Sequence, residues 1–234
     1  MNTTLSDEAL RVIRRAWAGW LGVSTDVFAS DQLVFVDRAP HPVVVVVRLG
    51  ATTVVAAPEQ SLASLRQLPA HQLLEAPALQ AALDAERTRL IGTAQLSFAD
   101  SGTFTPRRTS RTREASLADV ETVASACSAE EREESGLLEM ETWWVVDAPA
   151  GQPMAAAGYE IWDEAIAHVG LAVAPRHRAR GLGAAVATAA VQDALGHGTI
   201  PQWRSAGENA ASAIVGKRLG FVPLGTQLAL VLTA

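Results

Sequence analysis

The feature that most constrains the fold of this chain is the junction at Leu171–Ala184, where an apolar strand runs through a basic loop into a helix. Gly181 and Gly183 punctuate the loop, and glycine lets a ligand approach the backbone closely. The following run, Ala184–Leu195, is mostly Ala, Val and Leu and predicts a helix. Since the first N–H groups of a helix have no partner within it, this junction is suited to hold an anion such as a pyrophosphate.

Composition narrows the classes of protein that the chain can belong to. Its 234 residues fit one large domain or two small ones, and its net charge of −6 argues against a nucleic-acid partner. Cys127 is the only cysteine, so an internal disulfide is excluded and a cytoplasmic location is expected, with the thiol as a small buried side chain. The N-terminal residues are not typical of a signal peptide, and no apolar run approaches the about 20 residues that span a bilayer, so no membrane partner is expected.

The order of predicted elements divides the chain into two parts. Helices and strands in residues 1–105 carry no motif of known chemistry, and residues 99–112, which include Arg108, have the composition of a linker. From Arg111 onward, strands and helices alternate to the end of the sequence. We predict an α/β fold class with a mixed (α+β) sheet, comprising a smaller N-terminal α/β domain at 1–105 packed against a larger domain at 106–234.

A resemblance to a known family rests on three consecutive segments. The loop at 178–183 reads R-x-x-G-x-G, which is neither the dinucleotide pattern G-x-G-x-x-G nor a Walker loop. It is similar to the [RQ]-x-x-G-x-[GA] pattern of the GNAT superfamily of acyl-CoA-dependent N-acetyltransferases. His168–Ala174 before it resembles the fourth strand of that family, and Asn209–Phe221 after it resembles a later helix that ends in Leu-Gly-Phe. The resemblance covers about Arg111–Ala234 and implies a GNAT-like fold in the C-terminal half.

The resemblance implies acetyl-CoA as co-substrate, with no metal. In the family the pantetheine arm pairs with the fourth strand as a pseudo-strand, and the pyrophosphate lies on the backbone of the glycine loop. The N–H of Val173 is then the expected donor to the oxyanion that develops during transfer. The implied cofactor-binding residues are Leu171, Ala172, Val173, Arg178, Ala179, Arg180, Gly181, Leu182, Gly183, Ala184, Asn209 and Ser212.

The acid and base of the reaction are less defined by the pattern. An alkylammonium has a pKa of about 10.4 and must lose a proton before it attacks, so the reaction needs a base. Glu160 and His168 are the candidate bases, and Glu141 is a weaker third. A chain of water molecules is an alternative. Many family members carry a tyrosine acid where this chain has Gly216, although a thiol with a pKa of about 8.5 leaves without strong acid assistance. Tyr159, the only tyrosine, cannot be given that role by position.

The sequence thus predicts an acyl-CoA-dependent N-acyltransferase that moves acetyl to a primary amine by direct transfer in a ternary complex. The acceptor is left open among small molecules, antibiotics, polyamines, peptides and protein lysines, and a homodimer is compatible with the family. One alternative is a non-catalytic module that binds acyl-CoA, and another is a nucleotide-binding protein that uses the same loop. We also hypothesise that residues 1–105 form one wall of the acceptor site.

Overall fold

The computed structural model describes residues 4–107 and 109–233, so Arg108 of the predicted linker lies outside the described residues. The α-helices are α1 (Asp7–Leu21), α2 (Glu59–Leu65), α3 (Ala76–Ala82), α4 (Leu117–Ser125), α5 (Ala129–Ser135), α6 (Leu182–Gly196) and α7 (Ala210–Arg218). The strands are β1 (Leu33–Asp37), β2 (Val43–Leu49), β3 (Thr52–Ala57), β4 (Thr88–Phe98), β5 (Arg113–Glu114), β6 (Thr142–Asp147), β7 (Pro153–Trp162), β8 (Ile166–Val173), β9 (Ile200–Ala206) and β10 (Val222–Leu232). Parallel and antiparallel pairs both occur, which confirms the predicted α/β class with a mixed sheet.

The chain forms two compact units, and each is assembled from separate stretches of sequence. One comprises residues 11–97, 204–210 and 223–234, and the other comprises residues 1–10, 98–203 and 211–222. The boundary at 105/106 remains a prediction.

In the first unit, the strands follow the order β1-β3-β2-β10-β4. β1 is parallel to β3, whereas β2 is antiparallel to both β3 and β10. The run of five valines at Val43–Val47 accounts for the central position of β2, because β-branched side chains pack well on a pleated surface that is buried. Leucines of α2 and α3 cover one face and form a core with it, consisting of Val44, Val46, Val55, Ala57, Leu62, Leu65, Leu73, Leu79, Leu228 and Leu230.

In the second unit, the order is β9-β8-β7-β6-β5, with antiparallel pairs from β5 to β8 and a parallel pair between β8 and β9. The long apolar helix α6 packs on one face, where Val186 and Val191 meet Tyr159 and Val169 in a core. α4 packs on the other face. Its core there contains Val120, Val123, Val145, Ala156 and Ala172. Both faces of β7 and β8 are therefore covered, and these two strands position the candidate site.

No helix among residues 4–107 and 109–233 has the length and apolar character needed to cross a membrane.

Candidate functional site

The pairing between β8 and its parallel neighbour β9 ends before β8 itself does. The register joins Ile166–Val169 to Ile200–Trp203, while β8 continues to Val173. Over its last residues, Gly170–Val173, β8 keeps its antiparallel partner β7. Among the described residues, one edge of Gly170–Val173 therefore has no strand registered against it.

The direction of the backbone N–H and C=O groups alternates along β8, and this alternation shows which of them face the open edge. The N–H of Ala174 donates to the carbonyl of Met154 at 3.0 Å. Counting back from Ala174, every second residue of β8 therefore forms its backbone hydrogen bonds with β7. Ala172 falls in that set, which places its backbone groups on the β7 side. Leu171 and Val173 fall in the other set and direct their backbone groups toward the open edge. Of the three strand residues predicted to hold the arm, these two have the geometry to do so.

A tight loop turns the chain from β8 into α6. After a 3-10 turn at Pro175–His177, Ala179 and Gly181 adopt φ values of 59° and 78°, in the left-handed region. Ala185 makes the first backbone bond of the helix, to the carbonyl of Gly181 at 3.1 Å, and no side chain caps this end. The N–H groups of residues 181–184 thus precede the helical hydrogen bonds and lie at the positive end of the helix dipole. This is the arrangement that binds phosphate groups.

Gly183 brings this helix terminus directly against the end of β8. A β-carbon at Gly183 would lie 3.3 Å from Cγ2 of Val173 and 3.4 Å from Cδ2 of Leu171. The amides of the loop and the outward-facing amides of β8 therefore lie at the same end of the strand. A larger side chain at this position would separate them.

The three loop arginines have different partners. Arg178 donates from Nε to the carbonyl of Val173 at 3.1 Å and pairs through Nη2 with Oε1 of Glu131 at 2.8 Å. Arg176 bonds to Gln152 at 3.1 Å. Arg180 is exposed and has no hydrogen bond or ion pair with any residue of the described ranges. Arg180 is thus the arginine best placed to meet a phosphate, whereas Arg178 is committed to the protein.

The two leading candidate bases lie side by side. Glu160 on β7 is the register partner of His168 on β8, and His168 is in turn the register partner of Gln202 on β9. Side chains at paired positions share one face of a sheet, so Glu160 and His168 are neighbours on the same face. This face is the one covered by α4 and α5. The third candidate, Glu141, is exposed and immediately precedes β6.

The chain between α5 and β6 crosses the sheet beside this pair. Gly158 and Gly170 face each other two positions further along the same strands. A β-carbon at Gly170 would overlap the backbone oxygen of Ser135 and Cε of Met140, and one at Gly158 would overlap the backbone oxygen of Thr142. The absence of side chains at the two glycines lets this segment lie against β7 and β8, two positions along the strands from Glu160 and His168.

The space beside Gly216 on α7 is filled by a side chain from β9. A β-carbon at Gly216 would lie 3.0 Å from Cδ1 of Trp203, so the indole occupies the space beside this glycine. The indole Nε1–H donates to Oγ of Ser212 at 3.0 Å, and its ring packs on Phe221 with centroids 5.3 Å apart. Ser212, predicted to contact the cofactor arm, is thus a partner of Trp203. Asn209 immediately precedes α7, and its N–H donates to the carbonyl of Ala206 at 2.9 Å.

Replacing Gly216 with alanine is expected to lower the free energy of unfolding by about 1 kcal/mol, because the cost of crowding the buried indole exceeds the about 1 kcal/mol that alanine gains over glycine inside a helix. Urea denaturation of both proteins measures the difference. Gly196→Ala is the matched control, since no atom lies within 4 Å of its β-carbon position and the residue ends α6. A Gly216→Ala protein that is more stable than wild type by the full helix gain of about 1 kcal/mol would mean that Trp203 does not fill this space.

Tyr159 has a structural partner on the opposite face of the sheet from His168. Its hydroxyl donates to Oδ2 of Asp193 at 2.6 Å, and its ring stacks on Trp144 with centroids 6.0 Å apart. Burial and the hydrogen bond to the Asp193 carboxylate raise the pKa of Tyr159 well above its ordinary value. The hydroxyl is therefore a poor proton donor for a leaving thiolate.

Because Tyr159 is the only tyrosine, its ionisation can be followed directly by tyrosinate absorbance. We expect the native protein to ionise above the unfolded pKa of about 10. The tighter proton binding in the native state stabilises the fold fully below about pH 10, and this contribution is lost as the pH rises further. In Tyr159→Phe the alkaline loss of stability is expected to shrink. Native ionisation near pH 10 would contradict the buried hydrogen bond.

Two of these contacts were not anticipated from the sequence. The S-x-x-E pattern at 128–131 is a capping box that starts α5, and it places Glu131 at a helix N-terminus. Nothing in the pattern indicates the ion pair of Glu131 with Arg178, because the two residues meet only in the folded sheet. The packing of Trp203 on Gly216 has no local signal either. Within the described part of the chain, no group of three His, Cys, Asp or Glu side chains is arranged to hold a metal ion.

Comparisons with known proteins find a family match and similar folds. Residues 110–221 match the model of the acetyltransferase (GNAT) family, which confirms the resemblance and its place in the C-terminal half. The fold is similar to that of a GCN5-related N-acetyltransferase from Kribbella flavida, with a TM-score of 0.55 and 19% identity over 96% of this chain and 95% of that one. It is also similar to a GNAT-family acetyltransferase from Colwellia psychrerythraea, with a TM-score of 0.50 and 16% identity over 79% and 77% of the two chains. No curated protein matches the sequence.

Proposed function

We propose that this chain is an acyl-CoA-dependent N-acyltransferase, because residues 110–221 match the model of the GNAT acetyltransferase family. It transfers acetyl from acetyl-CoA to a primary amine within a ternary complex. The observation that carries the proposal is the series of backbone donors that runs from the open edge of β8 at Leu171 and Val173 to the start of α6.

The residues present fit acetyl-CoA. A pantetheine arm contains amides, and the open edge of β8 offers the N–H and C=O of Leu171 and the N–H of Val173 to pair with them. A diphosphate carries negative charge, and the free end of α6 offers unpaired N–H groups and the nearby guanidinium of Arg180. Asn209 and Ser212 remain proposed contacts of the arm.

The chemistry follows from the same arrangement. The N–H of Val173 donates to the carbonyl oxygen of the thioester as negative charge develops there, and a fixed donor of this kind is worth about 10²–10³ in rate. Either Glu160 or His168 accepts the one proton that the acceptor ammonium must lose before attack. Since a thiol with a pKa of about 8.5 is an adequate leaving group, the chain does not need a tyrosine at position 216.

A second candidate function is acyl-CoA binding without turnover. The observation that favours it is the Trp203 indole, which fills the space beside Gly216 where family members often carry their acid. Both functions share the cofactor site and differ only in whether the amine-dependent step occurs.

The test is thiol release from acetyl-CoA across a panel of amines, combined with calorimetric titration of CoA. We expect release that requires both the protein and one class of amine, and a fall of at least tenfold in His168→Ala or in Glu160→Gln. Tight CoA binding with no amine-dependent release would support the binding module instead. Binding of ATP or NAD without any binding of CoA would indicate a nucleotide ligand. That result would overturn both the transferase and the acyl-CoA-binding module.

A further inference from the structure

Arg178 binds the strand that it follows rather than pointing away from the protein. Its guanidinium donates from Nε to the carbonyl of Val173 at 3.1 Å, and its Nη2 lies 2.8 Å from Oε1 of Glu131 at the start of α5. This ion pair raises the pKa of Arg178 and lowers that of Glu131. One side chain thus joins the glycine loop, the end of β8 and α5.

These contacts determine the orientation of the Val173 backbone. The peptide between Val173 and Ala174 is held at both ends, because the Val173 carbonyl accepts from Arg178 and the Ala174 N–H donates to Met154 at 3.0 Å. The preceding peptide is held by β7 through Ala172. The direction of the Val173 N–H is therefore set on one side by the sheet and on the other by Arg178.

The segment before α5 reaches the same carbonyl. The Sγ of Cys127, which is buried, lies 3.9 Å from the Val173 carbonyl oxygen. The next residue, Ser128, caps α5 and bonds to Glu131 within the capping box. Arg132 in turn donates from Nη1 to the carbonyl of Cys127 at 2.8 Å. The start of α5 is thus fixed against the end of β8 by contacts that converge on one backbone oxygen.

We propose that the Arg178–Glu131 ion pair is a positioning device for the Val173 amide, through which α5 controls the acyl-transfer step. This inference rests on the proposed function. It makes Arg178 a positioning residue and leaves Arg180 as the loop arginine that meets phosphate. The first arginine of the R-x-x-G-x-G motif then contributes to the rate of transfer rather than to cofactor affinity.

The test separates rate from affinity. Glu131→Gln keeps the capping box, since glutamine serves at that position, but it removes the charge that holds Arg178. Arg178→Lys keeps the charge but loses the planar fork that reaches two acceptors. We expect each variant to lower kcat about tenfold, which is less than the loss of a whole oxyanion donor, and to change the Kd for CoA less than about twofold. The double variant should be no worse than either single variant, because both remove the same contact.

Two matched controls complete the design. Glu130→Gln makes the same charge change in the same first turn of α5, where Glu130 is exposed, and should leave kcat unchanged. Arg180→Gln should raise the Kd for CoA, which is the effect that the Arg178 and Glu131 variants are expected to lack. A weakened Kd with unchanged kcat in Arg178→Lys would make Arg178 a direct phosphate ligand and overturn the inference.

A readout without turnover distinguishes this inference from the proposed function. The amide resonance of Val173 in the CoA-bound protein should shift in Glu131→Gln and stay in place in Glu130→Gln. If the wild-type protein binds CoA but releases no thiol, the proposed function fails while this shift still tests the positioning role. An unshifted Val173 resonance in Glu131→Gln overturns the positioning role even where transfer is active.

Discussion

For the proposed acyl transfer, Val173→Pro is expected to lower kcat by about a hundredfold while the fold is retained, because proline removes the N–H that faces the open edge and no donor that β7 uses. The N–H of Val173 faces the open edge of β8 and makes no bond to β7. Proline is tolerated in a strand where the missing donor faces away from the ladder. Steady-state kinetics with the acceptor identified in the amine panel measures the loss.

Two variants make this result specific. Val173→Ala keeps the N–H and shortens the side chain that contacts Gly183, so it should retain most of the rate. Ala172→Pro removes a donor that β7 does use and should lower the free energy of unfolding by about 3 kcal/mol. Full activity in a folded Val173→Pro protein would show that this amide is not the oxyanion donor.

Gly170→Ala is expected to lower the free energy of unfolding by about 3 kcal/mol. Its β-carbon would overlap the backbone oxygen of Ser135 as well as Cε of Met140. A flexible side chain can move aside, but a backbone oxygen moves only if the crossing segment is displaced. Urea unfolding, followed by tryptophan fluorescence, measures the change.

Gly92→Ala in β4 is the control for the intrinsic effect of the substitution, since no atom lies within 4 Å of its β-carbon position. It is expected to be neutral or slightly stabilising in a strand. Adding Met140→Ala to Gly170→Ala should not restore stability, because the overlap with Ser135 remains. A Gly170→Ala protein as stable as wild type would mean that the segment does not cross the sheet at this point.

The part of the site that could be predicted is the part that is local in sequence. The turn from β8 into α6 is encoded by consecutive residues, with Gly181 at a positive φ and an apolar helix after it. The proximity of Glu160 and His168 was not predicted, because it depends on the register between β7 and β8. The same register decides that the backbone of Ala172 faces β7, although its neighbours face the open edge.

The features of the site that could not be predicted depend on contacts between segments that are distant in sequence. The sequence shows Gly216 as a departure from the family pattern but cannot show that Trp203 fills the space. Glu131 belongs to a run of charged residues whose pattern is typical of a solvated helix face, and its ion pair with Arg178 forms only when α5 meets the end of β8. Such pairs leave no periodic or spacing signal in a single sequence.

The antiparallel pairing of β10 with β2 has a consequence for chain cleavage. Residues 225–231 near the C-terminus pair with residues 43–49 near the N-terminus, so any cut between 105 and 106 separates two strands that are neighbours in the fold. A fragment that begins at 106 would present β10 with an unpaired apolar edge, which is a template for aggregation. A chain nicked there after folding should instead stay in one piece under native conditions and separate into two only in denaturant.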